Sequence, residues 1–204
     1  MGQPLVLACG ALVSELRAVL RANDLAGSVE VRYLPANLHN RPDRIEPAVR
    51  ALLAELDPDA QRPVLLGYAD CGTGGGLDRL LEEMPRVRRL PGSHCYEFFA
   101  GSALFAALHD AEPGTLYLTD FLAKHFEALL WQGLGLDRHP ELLPLYFGNY
   151  TRVVLLSQAD DPSVVTAAQA AAERLGLRFE QRHVGLAPFA EAVRVALRPS
   201  RKVA

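Results

Sequence analysis

The sequence has no long apolar run and no excess of charge of one sign. Its 204 residues include 21 Lys and Arg against 24 Asp and Glu, which gives a net charge of −3. The basic residues are dispersed, and this balance argues against nucleic acid as a partner. No apolar run reaches the roughly 20 residues that a membrane-spanning helix needs, and the first ten residues, MGQPLVLACG, lack a basic leader. We therefore expect a cytoplasmic protein with no membrane contact.

Cysteine is also scarce, with three residues in the whole chain. An odd number of cysteines does not suit a disulfide framework, and a reducing compartment keeps them as thiols. The three thiols are therefore free for packing, catalysis or metal binding.

What the sequence does contain is an alternation of strand-like and helical patterns. Apolar runs at residues 5–8 and 63–68 are each followed by a glycine-containing turn and a helical repeat, and the pattern recurs along the chain. Strands that alternate with helices favour a parallel sheet joined by right-handed crossovers. We predict an α/β fold, a Rossmann-like three-layer sandwich with a mainly parallel sheet of about six strands. Residues 1–198 are predicted to form one domain and residues 199–204 a C-terminal tail.

Each cysteine lies at a predicted junction between a strand and a helix. Cys9 follows the first strand and Cys71 the third, each with a glycine directly after it, and Cys95 opens a helix. Ligands of open parallel sheets bind outside the carboxyl ends of the strands. The sequence therefore predicts that the three thiols meet at one pocket. We also expect the helix N-terminus to lower the pKa of Cys95.

Three thiolates suit two cofactors. A [4Fe–4S] cluster held by three cysteines leaves one iron open to substrate, whereas zinc needs a fourth ligand. The nearest candidates for that ligand are His94, Asp70 and Glu97, which we also take as the candidate catalytic residues. The cluster is favoured because it needs no further ligand. A metal-free cysteine enzyme with His94 as base is an open alternative, and free cysteines often serve only as buried packing residues.

Two polar segments are candidates for substrate binding. The turn at residues 70–76, DCGTGGG, precedes a helix, so Thr73, Gly74 and Gly75 are placed to hold an anion. His39 and Arg41 follow the second strand and suit a carboxylate. A purely conformational role for the glycines and a solvated loop around His39 are equally plausible interpretations.

Several segments together resemble one known family. They are residues 8–12 (ACGAL), 38–42 (LHNRP), 68–75 (YADCGTGG), 92–98 (GSHCYEF), 118–121 (LTDF) and 146–150 (YFGNY). They resemble the family catalogued as domain of unknown function 1638. Some of its members occur beside corrinoid-dependent methyl-transfer systems, so the resemblance implies one-carbon or methylamine metabolism and a corrinoid or methyltransferase partner.

The combined hypothesis is a metal-dependent lyase or transferase. Cys9, Cys71 and Cys95 would hold an iron–sulfur cluster with an open coordination site, and the substrate would be small and polar or anionic. The alternatives are a zinc-dependent methyl- or thiol-transfer enzyme, and a non-enzymatic accessory or metal-delivery protein for a corrinoid methyltransferase system. We also expect a homo-oligomer. The aromatic residues Tyr146, Phe147 and Tyr150 are expected in the core or in an oligomer contact, with the lining of a pocket as the second interpretation.

Overall fold

The computed structural model describes residues 2–197 and contains two parallel sheets. The first sheet has the order β2-β1-β3-β4 and the second the order β5-β6-β7. Their strands are β1 Leu5–Cys9, β2 Glu30–Leu34, β3 Val64–Gly67, β4 Val87–Arg89, β5 Thr115–Thr119, β6 Arg152–Ser157 and β7 Arg178–His183. The tail predicted at 199–204 lies outside the described residues.

The α/β class and the parallel, Rossmann-like pairing are confirmed, but one sheet of about six strands is wrong. β4 pairs with β3 alone and β5 pairs with β6 alone, so no backbone ladder joins the two sheets in the part of the chain described. β4 has three residues, two of them arginines. A short, charged strand is a poor template for a further partner, and two helices separate it from β5 along the chain.

Helices follow most strands. They are α1 Val13–Ala22, α2 Ile45–Leu56, α3 Gly76–Glu83, α4 Cys95–Ala100, α5 Ser102–Ala111, α6 Asp120–Lys124, α7 Leu143–Phe147, α8 Pro162–Leu175 and α9 Ala187–Leu197. The helical pattern from Cys95 onward is two helices rather than one, because Gly101 between α4 and α5 has φ +80, which ends a right-handed helix.

The first sheet is covered on both faces. Leu5 and Leu66 pack in the apolar cluster that contains residues of α2 and α3, and Val6 packs in the cluster that contains residues of α1, α4 and α9. Phe189 of α9 stacks on Phe98 of α4 at 5.2 Å between ring centroids. Helix α9 therefore packs against the first sheet, which contains β1. The predicted single domain over residues 1–198 stays a prediction.

No helix within residues 2–197 combines the length and apolar character needed to cross a membrane.

Candidate functional site

The three cysteines lie at the carboxyl edge of the first sheet. Cys9 is the last residue of β1, Cys71 lies four residues beyond β3, and Cys95 is the first residue of α4. All three are half-buried free thiols, and all three line one small cavity of about 40 Å³. The carboxyl ends of parallel strands have therefore brought together residues that are far apart in the sequence.

Cys71 occupies a strained position in the loop between β3 and α3. Its φ is 51°, in the left-handed region that a residue with a Cβ adopts at a cost of about 1–3 kcal/mol. Its amide donates to the carbonyl of Ser93 at 2.8 Å, and the amide of Asp70 donates to the carbonyl of Gly92 at 3.1 Å. These two bonds join the loop to the turn before Cys95, so two of the three cysteines are positioned by one connected backbone unit.

Each thiol in this cavity is kept protonated. Burial raises the pKa of Cys9, Cys71 and Cys95, and the neighbouring cysteines add to the shift at Cys71, whose pKa rises to about 12, and at Cys95. The expectation of a lowered pKa at Cys95 is therefore wrong, because desolvation at the start of the six-residue α4 outweighs the helix terminus.

The Tyr68 side chain adds a donor beside Cys9 in the same cavity. Tyr68 is 2% exposed, and its hydroxyl makes no well-formed hydrogen bond within residues 2–197. Burial, followed by the neighbouring Cys9 and Cys71, raises the pKa of the Tyr68 hydroxyl, which therefore keeps its proton. The Cys9 thiol interacts with this hydroxyl, so Tyr68 is placed to donate to Cys9 once that sulfur is a thiolate.

The chemistry of these side chains suits a soft metal, although they do not converge on one point. No group of three or more His, Cys, Asp or Glu side chains in the described part of the chain is arranged to hold a metal ion as it stands. Thiolates are nevertheless the ligands preferred by zinc and iron–sulfur clusters. His39 lines the cavity with the three thiols. His39 is exposed as a whole residue, but desolvation and then the nearby His94 lower its pKa, which favours the neutral ring that binds metals.

Asp70 holds the glycine-rich loop with its own carboxylate. The Thr73 hydroxyl donates to Asp70 Oδ1 at 2.6 Å, and the amides of Gly74 and Gly75 donate to its two oxygens at 3.2 and 2.9 Å. Burial opposes ionisation of Asp70, but these bonds outweigh it and lower the pKa. The donors that the sequence assigns to a substrate anion are thus already paired within the chain, and their role in substrate binding stays a prediction.

Of the remaining predicted site residues, His94 lines a cavity, whereas Glu97 and Arg41 do not. Glu97 accepts from the Ser93 amide at 3.1 Å and from the Ser102 hydroxyl at 2.9 Å, which holds the turn before α4. Arg41 is exposed, pairs with Asp43 at 3.5 Å, and lines neither this cavity nor the larger one described next. His94 is exposed and lines the larger cavity.

A second cavity of about 540 Å³ adjoins the first. His39, Cys71 and Cys95 line both cavities. Aromatic side chains dominate the rest of its wall: Tyr96, Phe105, Tyr117, Tyr146, Phe147 and Tyr150. This volume is that of a small-molecule site. Tyr146, Phe147 and Tyr150 therefore line a pocket, the interpretation that the sequence places second, while Phe147 also lies in an apolar core cluster, as the first interpretation expects.

Sequence reasoning also misses two carboxylates behind the site. Asp120, the first residue of α6, accepts from the amides of Gln158 and Ala159 at 3.0 and 2.8 Å, while Thr119 caps α6. Glu15 of α1 is 9% exposed and has one unpartnered oxygen. The signal for Glu15 is a lone carboxylate among the apolar positions of a helix.

A model of the family described as "Protein of unknown function (DUF1638)" matches residues 33–193. No curated protein and no solved structure matches the chain.

Proposed function

The chain belongs to the family described as "Protein of unknown function (DUF1638)", and from its site we propose that it is a metal-dependent enzyme. Cys9, Cys71 and Cys95 hold the metal, with one coordination position open toward the larger pocket. One observation carries this proposal: the cavity that all three thiols line shares Cys71, Cys95 and His39 with a pocket of about 540 Å³. Catalytic metal sites combine three protein ligands with an adjacent open position.

The protonation of the thiols favours a metal over a metal-free cysteine nucleophile. A reactive cysteine needs a lowered pKa, whereas burial raises the pKa of all three thiols here. A bound cation lowers these raised thiol pKa values, because it stabilises the thiolates that desolvation and mutual repulsion disfavour. Metal binding therefore releases protons from this site.

The size of the cavity favours a single ion. Its volume of about 40 Å³ corresponds to about three water-sized spheres of roughly 10–15 Å³ each, less than a cubane of four iron and four sulfur atoms occupies. An iron–sulfur cluster, which the cysteines alone favour because it needs no further ligand, requires the walls to move apart. We therefore place zinc first and the [4Fe–4S] cluster second. When bound, zinc supplies positive charge that stabilises an anionic ligand or leaving group during transfer of a methyl or thiol group.

The chain's own residues position this centre. The Asp70 carboxylate fixes the loop that carries Cys71, and Glu97 fixes the turn that precedes Cys95. Tyr68 supplies a donor beside Cys9, and the aromatic wall of the larger pocket excludes water from a bound substrate. Acid–base catalysis by His94, which lines that pocket, stays a prediction.

A non-enzymatic accessory or metal-delivery protein is the alternative from another class. It needs a metal and a docking partner but no substrate pocket, so the larger cavity favours the enzyme. A role in one-carbon transfer, a corrinoid or methyltransferase partner, a homo-oligomer and a cytoplasmic location stay predictions.

The direct test is metal analysis of protein purified without oxygen. Wild type is expected to carry about one zinc per chain, and Cys9→Ser, Cys71→Ser and Cys95→Ser are each expected to lose it while keeping their circular dichroism spectrum. If the wild type contains iron and inorganic sulfide instead, and the same three variants lose both, the cofactor is the [4Fe–4S] cluster rather than zinc. A wild type that takes up neither metal would contradict the proposal.

Two histidine variants test whether the fourth position is open. His39→Ala is expected to retain the metal, as is the control His139→Ala, whose exposed ring lies outside both cavities. Loss of metal in His39→Ala alone would indicate a closed site with four protein ligands, which contradicts the catalytic role.

A further inference from the structure

The larger pocket meets the thiol cavity at one end. Cys71, Cys95 and His39 line both cavities, and the rest of the larger pocket's wall comes from residues that do not line the thiol cavity. A molecule that fills the larger pocket therefore reaches the open metal position with one of its ends, while its body contacts other side chains.

Those other side chains present apolar surface to the pocket. Tyr96, Phe105, Leu116 and Leu134 line it and are half-buried, so each keeps part of its surface accessible. The first three belong to α4, α5 and β5, so the wall is assembled from separate elements. Apolar surface that is open to a cavity favours an apolar ligand, since binding removes this surface from water.

Apart from histidines, the described residues of the pocket wall carry no charged side chain. No Lys, Arg, Asp or Glu within residues 2–197 lines the pocket, and His94 and His109, which do line it, are exposed residues. A charge on the body of a ligand would therefore lose hydration without gaining an ion pair, which is unfavourable. The place in this pocket where a charged donor atom gains a partner is the open metal position.

The three thiols also select the donor atom that completes the metal site. Zinc in thiolate-rich sites is tetrahedral, and four sulfur ligands are a common set. Cys9, Cys71 and Cys95 supply three of these sulfurs, and the sequence contains no other cysteine. A sulfur atom of the ligand is therefore the soft donor that suits the open position.

We propose that the substrate is a thiol with an uncharged, largely apolar body. Its sulfur occupies the open metal position, and its body lies against Phe105 and Leu116 in the larger pocket. On binding, the thiol gives its proton to the solvent, and its sulfur bonds to the metal in place of water. This assignment rests on the proposed function, because it needs the three-thiolate centre.

Calorimetric titration of zinc-loaded protein tests both ends of this ligand. Phenethyl thiol has the sulfur and an apolar ring. Mercaptoethanol keeps the sulfur but has a hydroxyl in place of the ring, and phenethyl alcohol keeps the ring but has oxygen in place of the sulfur. We expect saturable one-to-one binding of phenethyl thiol, at least about tenfold tighter than either comparison compound. Equal affinity of either comparison compound would overturn the inference.

X-ray absorption at the zinc edge separates this inference from the proposed function. Without ligand, the proposed function predicts three sulfur atoms and one lighter atom around zinc. With saturating phenethyl thiol we expect four sulfur atoms. A shell that keeps three sulfurs and the lighter atom would overturn the inference alone. Protein that takes up no zinc, or binds it through fewer than three sulfurs before thiol is added, would overturn the proposed function and the substrate assignment with it.

Two phenylalanine variants test the apolar wall. Phe105→Ala removes a ring from the larger pocket and is expected to weaken phenethyl thiol binding about tenfold, with unchanged zinc content and unchanged affinity for mercaptoethanol. Phe121→Ala is the matched control, because Phe121 is also half-buried but lines neither cavity. Equal affinities of the two variants for phenethyl thiol would contradict the placement of the ligand's body against this wall.

Discussion

Cys71 and Tyr68 show at the scale of single residues why the small cavity is more than packing. Cys71 holds a left-handed backbone conformation, and Tyr68 buries a hydroxyl beside the Cys9 thiol without a well-formed hydrogen bond. Neither feature benefits a core filled only by small apolar side chains. Both are accounted for if thiolates form when a metal binds, because the loop then holds a ligand and the hydroxyl gains a charged acceptor.

Tyr68→Phe is expected to have opposite effects on stability and on metal affinity. Without metal, the free energy of unfolding stays equal or rises, because an unpaired hydroxyl is removed. Zinc affinity falls about 10- to 150-fold, since a hydrogen bond to a charged acceptor contributes about 1.5–3 kcal/mol. Urea unfolding and chelator competition measure the two quantities.

Tyr33→Phe is the control for this pair of measurements, because it removes a comparable hydroxyl from β2 outside the cavity. Unchanged zinc affinity in Tyr68→Phe would mean that the hydroxyl plays no part in the centre.

Strand spacing sets the geometry of the site at the scale of elements. Gly67 of β3 pairs with Ala8 of β1, one residue before Cys9. A Cβ at Gly67 would lie 2.6 Å from the Ala8 Cβ and 3.0 Å from its Cα. Glycine is therefore required for the close approach of the strands that position Cys9 and Cys71.

Gly67→Ala is expected to lower the free energy of unfolding by about 1–3 kcal/mol, the usual cost of overpacking, and to weaken metal binding. Gly27→Ala, where a Cβ meets no atom within 4 Å, is expected to change stability by at most about 0.5 kcal/mol. Urea unfolding measures both. Equal stability of the two variants would contradict the role of close strand packing.

The burial of Glu15 on α1, near Asp120 and Lys124 of α6, gives a pH dependence. Burial raises the pKa of Glu15, Asp120 raises it further, and Lys124 partly opposes the shift. A carboxyl whose pKa is higher in the folded than in the unfolded state contributes stability that is complete below about pH 4.5 and is lost as the pH rises through the folded-state pKa. Raising the pH from about 4.5 toward neutral therefore costs stability at Glu15.

Glu15→Gln is accordingly expected to be more stable than wild type at pH 7, with the difference shrinking toward pH 4. Urea unfolding at several pH values measures it, with Glu173→Gln on the exposed face of α8 as the control. A stability gain for Glu15→Gln that is the same at both pH values would contradict the assignment to ionisation of Glu15.

How much of this arrangement the sequence predicts depends on how local each signal is. The strands and helices follow from local periodicity, and the meeting of the cysteines follows because carboxyl ends of parallel strands share an edge. The division into two sheets does not follow from local periodicity. It depends on which strands, distant in the sequence, pair with β4 and β5. The burial of Cys95 and the formation of the aromatic pocket both require α4, β5 and residues 146–150 to pack together. No local sequence pattern predicts this packing.

The packing of the last helix against the first sheet is a property of the whole molecule. Phe189 of α9 is fully buried against Phe98 and Phe99, with ring centroids 5.2 and 5.0 Å away. Phe189→Ala is expected to lower the free energy of unfolding by about 3–5 kcal/mol. Val195→Ala on the same helix, where the side chain is 49% exposed, is expected to cost at most about 0.5 kcal/mol. If urea unfolding shows similar losses of stability in both variants, the stabilising role of the packing between α9 and the first sheet is contradicted.

The measurement that tests the central claim most directly is X-ray absorption at the metal edge of the loaded protein. The account predicts a first shell of three sulfur atoms, one from each of Cys9, Cys71 and Cys95, at about 2.3 Å from zinc, with one lighter atom in the open position. A first shell of nitrogen and oxygen alone, or one with fewer than three sulfurs, would contradict the three-thiolate centre.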